Sequence, residues 1–384
     1  MFADIFKKEE KKVEYIELIY DLIFVYIIGR NNSLISSVEH GFIPWSVYLT
    51  YFLTTLIALH IWYLTTVFIN RYGSKSVAEY IGIFINMYLL YYMADGTRVA
   101  WHEYYTNYTV AWGLILINLA VQYFIKLKQT EKLMPWKTAH MRYSIVTLLI
   151  EAFIVLGSIP LYHLTGIALS PLALVFGLAA VFFRKDLNRL MSVDFAHMTE
   201  RVMLYVVFTF GEMIISITGY FQGGFTFRSV YFSLMAFLVV AGLFLIYGYF
   251  YDHIIDREQE TSGSGYMLLH IFLITALNNI AVALEFMREP EVDDLLKNVF
   301  LVASFVVYYI FLFSLEKYAY CCKKPSLKFW SVIIGASLGF CALIAMLYKK
   351  GDISIGITVC YIYAMFGFCV YYSRKHKREA EENA

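Results

Sequence analysis

The sequence predicts an all-α fold of about twelve transmembrane helices, on three observations. Of 384 residues, 60% are hydrophobic and only 16% charged, with a mean hydropathy of +0.61, which excludes an ordinary soluble domain. Apolar runs long enough to cross a hydrocarbon core roughly 30 Å thick recur along the whole chain. The Lys and Arg residues cluster in alternate connecting segments.

The first run, 13–30, carries Glu14, Glu17 and Asp21 at i, i+3 and i+7, one stripe of a helix. An ionised Asp near the middle of a bilayer helix costs roughly 2.5–3.5 kcal/mol on insertion scales, so this stripe must face protein or water. The second run, 43–69, contains His60 and Trp62 and ends in Asn70-Arg71. The third, 77–94, is polar at its start, and the fourth, 108–126, runs into Lys126 and Lys128. The fifth, 141–160, holds Glu151 between Ile150 and Ala152, and the sixth, 163–183, is interrupted by Pro171. The seventh, 200–220, opens on Glu200-Arg201 and carries Glu212 beside Gly211, a glycine expected to allow close helix approach. The eighth is 229–250. The ninth, 266–286, includes His270, Asn278, Asn279 and Glu285, and 297–316, 327–348 and 353–373 complete the set. The third and sixth runs are the weakest, so the count lies between ten and twelve.

With the N-terminus inside and twelve spans, all of the 31 Lys and Arg except Arg30, Arg98, Arg228, Arg288, Lys297, Lys349 and Lys350 fall on the cytoplasmic side. Both termini are therefore expected on the cytoplasmic side. The charged N-terminus lacks a small-residue cleavage site after a short apolar core, so the first run is expected to stay as a helix. The connector 184–201, with Asp186, Asn188, Asp194 and His197, is expected to be short and surface-lying. The loop 252–265 is expected to be mobile.

A weak repeat relates Gly41-Phe42-Ile43-Pro44-Trp45-Ser46-Val47-Tyr48 to Gly224-Phe225-Thr226-Phe227-Arg228-Ser229-Val230-Tyr231. Each follows an acidic helix, bearing Asp21 in one case and Glu212 in the other. Six spans separate the copies, which suggests two parallel six-helix halves, 1–190 and 191–384.

The net charge of +1 gives no global field for nucleic acid. The five cysteines form no CxxC pair: Cys341, Cys360 and Cys369 are expected to pack as small apolar residues, and Cys321-Cys322 sits at a basic helix end. No HExxH, G-x-S-x-G or phosphate-cradling glycine loop is present, so the residues call for no metal or cofactor.

The chemistry lies in the intramembrane polar groups. Asp21, one turn deeper than Glu17 and flanked by Leu22, Ile23, Phe24 and Val25, is expected to be buried and essential. Glu14 and Glu17 either join it or anchor the helix end at headgroup level. Glu212 is read as an ion or proton site. Glu151 has two readings of equal weight, a proton relay and a structural hydrogen bond between helices. His60 is read as packing with one hydrogen bond. Arg71 at the end of the second run could meet Glu14 or Glu17. Glu17, Arg71, Glu200 and Arg201 would form either an alternating ring at the inner mouth or separate snorkelling charges.

The stretch Glu17-Leu18-Ile19-Tyr20-Asp21-Leu22-Ile23-Phe24-Val25 resembles the opening motif of the bacterial low temperature requirement A family, E-L-x-aromatic-D-L-x-F-V. Trp62 followed by Asn70-Arg71 is similar to that family's Trp and Asn-Arg. His197-Met198-Thr199-Glu200-Arg201 with Phe210-Gly211-Glu212 resembles its H-x-x-E-R … G-E element. Thr209-Phe210 departs from the small aliphatics more usual there. These matches cover roughly the first 215 residues; the last third matches only as generic membrane helices. The resemblance implies a multispan bacterial membrane protein whose family is named for growth in the cold.

The leading functional reading is an ion- or proton-coupled transporter or channel. Asp21, Glu17, Glu212 and Glu151 would form the path, and Glu14, Asn70, Arg71, His197, Glu200 and Arg201 the inner polar cluster. The alternatives are a membrane sensor or assembly factor for cold growth, and a lipid-modifying enzyme using His197 as an acid–base group. The partners expected are the lipid bilayer, a small ion or small molecule, and another copy of the chain in a homo-oligomer.

Overall fold

The computed structural model describes residues 11–36, 38–39, 41–95, 101–130, 135–183, 187, 191–221, 225–320 and 326–382. Arg98, Asp186, Asn188, Gly224, Cys321 and Cys322, named above, lie outside the described residues.

Among the described residues twelve α-helices follow the apolar runs. They are α1 (Tyr15–Asn32), α2 (Trp45–Tyr72), α3 (Val77–Asp95), α4 (Trp101–Thr130), α5 (Pro135–Thr165) and α6 (Pro171–Phe183). They continue as α7 (Phe195–Ser216), α8 (Phe227–His253), α9 (Ser264–Arg288), α10 (Asp294–Ser314), α11 (Leu327–Leu347) and α12 (Gly351–Glu382). Ten of these are long and apolar enough to cross a membrane. The other two differ for separate reasons. Helix α1 carries Glu17, Asp21 and Arg30 within 18 residues, and α6 is only 13 residues long. The apolar run expected to begin at 163 is split, because α5 continues to Thr165, Gly166 turns with φ +72°, and α6 starts at Pro171. Pro at a first helical position costs no hydrogen bond, so this is where the helix begins.

The chain forms two compact units. The first comprises Met1–Leu34, Leu49–Tyr205 and Arg257–Met267; the second comprises Ile35–Tyr48, Val206–Asp256 and Leu268–Ala384. In the first, α4 packs against both α3 and α5, α1 against α3, and α6 against α5. In the second, α12 packs against α8 and α11, and α11 against α10.

Helix starts are set by local polar groups. Asp293 Oδ1 accepts from Leu295 N and Leu296 N ahead of α10, Ser326 Oγ from Phe329 N ahead of α11, and Thr226 Oγ1 from Ser229 N ahead of α8. The loop 252–265, expected to be mobile, is instead tied down within each unit. Asp256 N donates to Tyr318 O at 2.8 Å in the second unit, and Val193 N to Thr261 O at 3.1 Å in the first. Backbone pairing supplies the order that its Gly- and Ser-rich composition does not announce.

Candidate functional site: a buried ion network in the first unit

Helix α1 separates its faces by chemistry. Ile19, Leu22 and Tyr26 are exposed, whereas Glu17, Tyr20, Asp21, Phe24, Ile27 and Ile28 are buried. Glu17 and Asp21 are four residues apart and so lie on one face. On α7, His197 and Arg201 have the same spacing and are also buried. An acidic i, i+4 pair on one helix thus meets a basic i, i+4 pair on another.

The contacts are specific. Arg201 forks onto Asp21, Nη2 to Oδ1 at 2.8 Å and Nε to Oδ2 at 3.2 Å, and its Nη1 donates to Glu17 Oε2 at 2.9 Å. Arg201 and Asp21 are both 0% exposed. Trp62 Nε1 on α2 donates to Asp21 Oδ1 at 2.9 Å, and the indole packs on the Tyr205 ring with centroids 4.4 Å apart. Planar guanidinium and carboxylate groups bonded in this way form the strongest class of ion pair, and in hydrocarbon such pairing is what makes buried charge tolerable.

His197 extends the network. Its Nε2 lies 3.2 Å from Glu17 Oε1, and its Nδ1 lies 3.0 Å from Asn70 Nδ2. Asn70 is oriented by the backbone of Asp194, whose N donates to Asn70 Oδ1 at 3.0 Å and whose O accepts from Nδ2 at 2.9 Å. The amide nitrogen therefore faces the imidazole, Nδ1 is an acceptor, and Nε2 carries the proton given to Glu17. Asp194 also caps α7, its Oδ1 accepting from His197 N at 3.1 Å. Lys11 closes the helix end, donating to Ile69 O at 2.7 Å. Burial pulls its ammonium below the ordinary value, while Glu17, Glu79 and Asp194 oppose that shift.

The other expected site residues of this unit fall into smaller groups. Glu14 is half-buried and pairs with Lys75. Arg71 Nη1 donates to His140 Nε2 at 2.8 Å and Nη2 to Ser262 O at 3.1 Å, while His140 Nδ1 is 2.8 Å from the Tyr72 hydroxyl. Glu200, next to Arg201, forms no ion pair among the described residues. Of the four residues considered for an inner ring, Glu17 and Arg201 are thus brought into one ion pair. Glu151 is fully buried and meets His60 Nε2 at 3.1 Å. A cavity of about 70 Å³ lies beside it, lined by α2, α4, α5 and α6.

In the second unit Glu212 is half-buried on α7. Glu285 on α9 is near enough to interact with it electrostatically. Arg288 lies over the Tyr220 ring at 5.3 Å, and the Tyr220 hydroxyl donates to Leu284 O. Gly211 was expected to admit a neighbouring helix, but a Cβ there would meet no described heavy atom within 4 Å. The close approach is at Gly177 of α6, where a Cβ would stand 2.6 Å from His60 Nε2 and 2.7 Å from Glu151 Oε2.

Sequence reasoning did not find His140 or the buried pair of Lys126 with Glu79, 3.5 Å apart. It also left Trp62 without a role. No group of three His, Cys, Asp or Glu among the described residues is placed to hold a metal ion.

Helical spans around a buried, fully bonded ion network define a multispan helical membrane protein with a polar interior. The chain matches the family described as bacterial low temperature requirement A protein (LtrA) over residues 12–366, and it belongs to that family. The match runs through the last third, where the sequence shows only generic apolar helices. No curated protein matches the chain.

Proposed function

We propose that this protein moves protons, or a small cation or solute coupled to them, across the bacterial plasma membrane, with the Glu17–Asp21–Arg201–His197 network as its switch. The observation that carries this reading is the position of His197 between a donor, Asn70 Nδ2, and an acceptor, Glu17 Oε1. A proton arriving at Nδ1 turns that atom into a donor facing another donor. Asn70 must then turn away, and with it goes the clamp on Asp194 at the start of α7. Lys11, Glu17, Asp21, Asp194 and Arg201 are the charged groups around this ring. A local protonation thereby becomes a shift of a whole helix, the coupling that alternating access needs. Glu212, read from the sequence as an ion or proton site, belongs to the second unit. Both termini are cytoplasmic in this reading, and two parallel six-helix halves, 1–190 and 191–384, belong to it as well.

The test is proton and cation flux in proteoliposomes under an imposed pH gradient. Wild-type protein should carry flux that Glu17→Gln, Asp21→Asn and Glu212→Gln abolish while remaining monodisperse. Wild-type flux in all three variants would refute the path.

A second reading is favoured by the saturation of Asp21, whose two oxygens are both taken by Arg201 and Trp62. Here the network is a static scaffold for a sensor or assembly factor. It predicts no flux from the purified wild-type protein and a partner protein recovered with it.

A further inference from the structure

We propose that His60 and Glu151 form a proton-binding site with its own water-filled access, separate from the network on α1 and α7. The pair is sealed inside the first unit, both side chains 0% exposed. One contact joins them, His60 Nε2 to Glu151 Oε1 at 3.1 Å, and this leaves Glu151 Oε2 and His60 Nδ1 with no partner among the described residues. A buried polar atom without a partner is unfavourable. The unclaimed carboxylate oxygen and ring nitrogen are also the two positions that can take an added proton while the bond between the residues persists.

The cavity beside the pair supplies the route. Its volume of about 70 Å³ is room for roughly five waters. It runs between α2 and α5, which are antiparallel here. His60 meets Glu151 at one end of the slot and Arg71 meets His140 at the other. Eleven residues of helix separate the two contacts, about 16 Å. Hydroxyl-bearing Ser144 and Thr147 line the slot from α5, with Tyr143, whose hydroxyl donates to Ala180 O at 2.7 Å. Among the described residues, the titratable groups facing the slot are Tyr63 and Arg71 from α2, Tyr123 from α4, and His140, Tyr143 and Glu151 from α5, while α6 contributes Gly177, Ala180 and Val181. Gly177 lets the α6 backbone lie close against the pair. A proton passed along the water file adds to Glu151 Oε2, converting carboxylate to carboxylic acid and leaving His60 neutral as donor to Oε1. The site does not require that the α1–α7 network transport anything.

Infrared difference spectroscopy of the full-length protein in lipid, across a pH step, tests this directly. The expected result is a carboxylic acid carbonyl band that appears as the pH falls and shifts in D2O. It should be lost in Glu151→Gln and displaced in frequency, not lost, in Glu151→Asp. Filling the slot with Ser144→Leu or Thr147→Leu should slow the D2O shift without removing the band. A band of constant intensity would mean a permanently protonated structural acid and would overturn the proposal. So would a pH-dependent band that survives in Glu151→Gln, or one that never exchanges. Because the readout is protonation and not flux, absence of transport in the vesicle experiment leaves this outcome unaffected.

Discussion

Arg201 and Asp21 are joined by two hydrogen bonds, Nη2 to Oδ1 at 2.8 Å and Nε to Oδ2 at 3.2 Å, with both side chains wholly excluded from solvent. Removing one partner of such a pair strands the other's charge, at a cost of about 3–5 kcal/mol. Arg201→Met strands two carboxylates at once, since Glu17 also depends on this guanidinium. The expected outcome is a protein that is poorly recovered in detergent, with a strongly lowered unfolding temperature. Arg201→Lys keeps the charge but not the fork, and should fall between the two. If Arg201→Met unfolded at the wild-type temperature, the pair would contribute nothing to the fold.

Trp62 offers a milder cut into the same network. Trp62→Phe keeps most of the ring packing on Tyr205 but deletes the only indole N–H that reaches Asp21 Oδ1 among the described residues. Hydrogen bonds to charged groups contribute roughly 1.5–3 kcal/mol, and the loss should appear as a stability change of that order in thermal unfolding. In an Asp21→Asn background the same substitution should cost less, because the acceptor no longer carries a charge.

Asn70 links the network to the chain before α7 through two bonds to the Asp194 backbone. Asn70→Ala removes both and leaves Asp194 N without its partner, a loss on the order of 1–3 kcal/mol. Hydrogen exchange at residues 193–198 should speed up while exchange in α4 stays slow. Uniform acceleration across both regions would show that Asn70 acts on global stability, not on this joint.

Much of this arrangement is legible in the sequence, and the rest fails for identifiable reasons. Each apolar run locates one helix, with ends that differ by up to nine residues, because hydropathy marks the span while caps, Pro and Gly set where the helix begins and stops. Glu17 with Asp21 and His197 with Arg201 share i, i+4 spacing, so complementary faces can be read before any contact is known. His60 and Glu151 lie 91 residues apart in separate apolar runs, and no periodicity joins them. Arg71 sits at a helix end where carboxylates looked like natural partners; His140, a residue with no marked neighbours, is what its Nη1 meets. Gly211 and Gly177 are both glycines in apolar helices. Which one sits under a crowded neighbour depends on tertiary packing, and composition does not carry that information.

Gly177 gives the sharpest test of that packing. A methyl group there would stand 2.6 Å from His60 Nε2 and 2.7 Å from Glu151 Oε2, inside the contact distance of both. Both side chains are buried, so either Glu151 swings toward the cavity and the His60 contact is lost, or α6 moves away from α2 and α5. Overpacking of this kind costs about 1–3 kcal/mol. Gly177→Ala should therefore lower thermal stability despite the better helix propensity of alanine. Glu151→Ala clears the space that the methyl group needs, so the two substitutions should be strongly non-additive. The double variant is expected to be less destabilised than the sum of the single ones. Strict additivity in that cycle would mean that α6 does not rest on the His60–Glu151 pair.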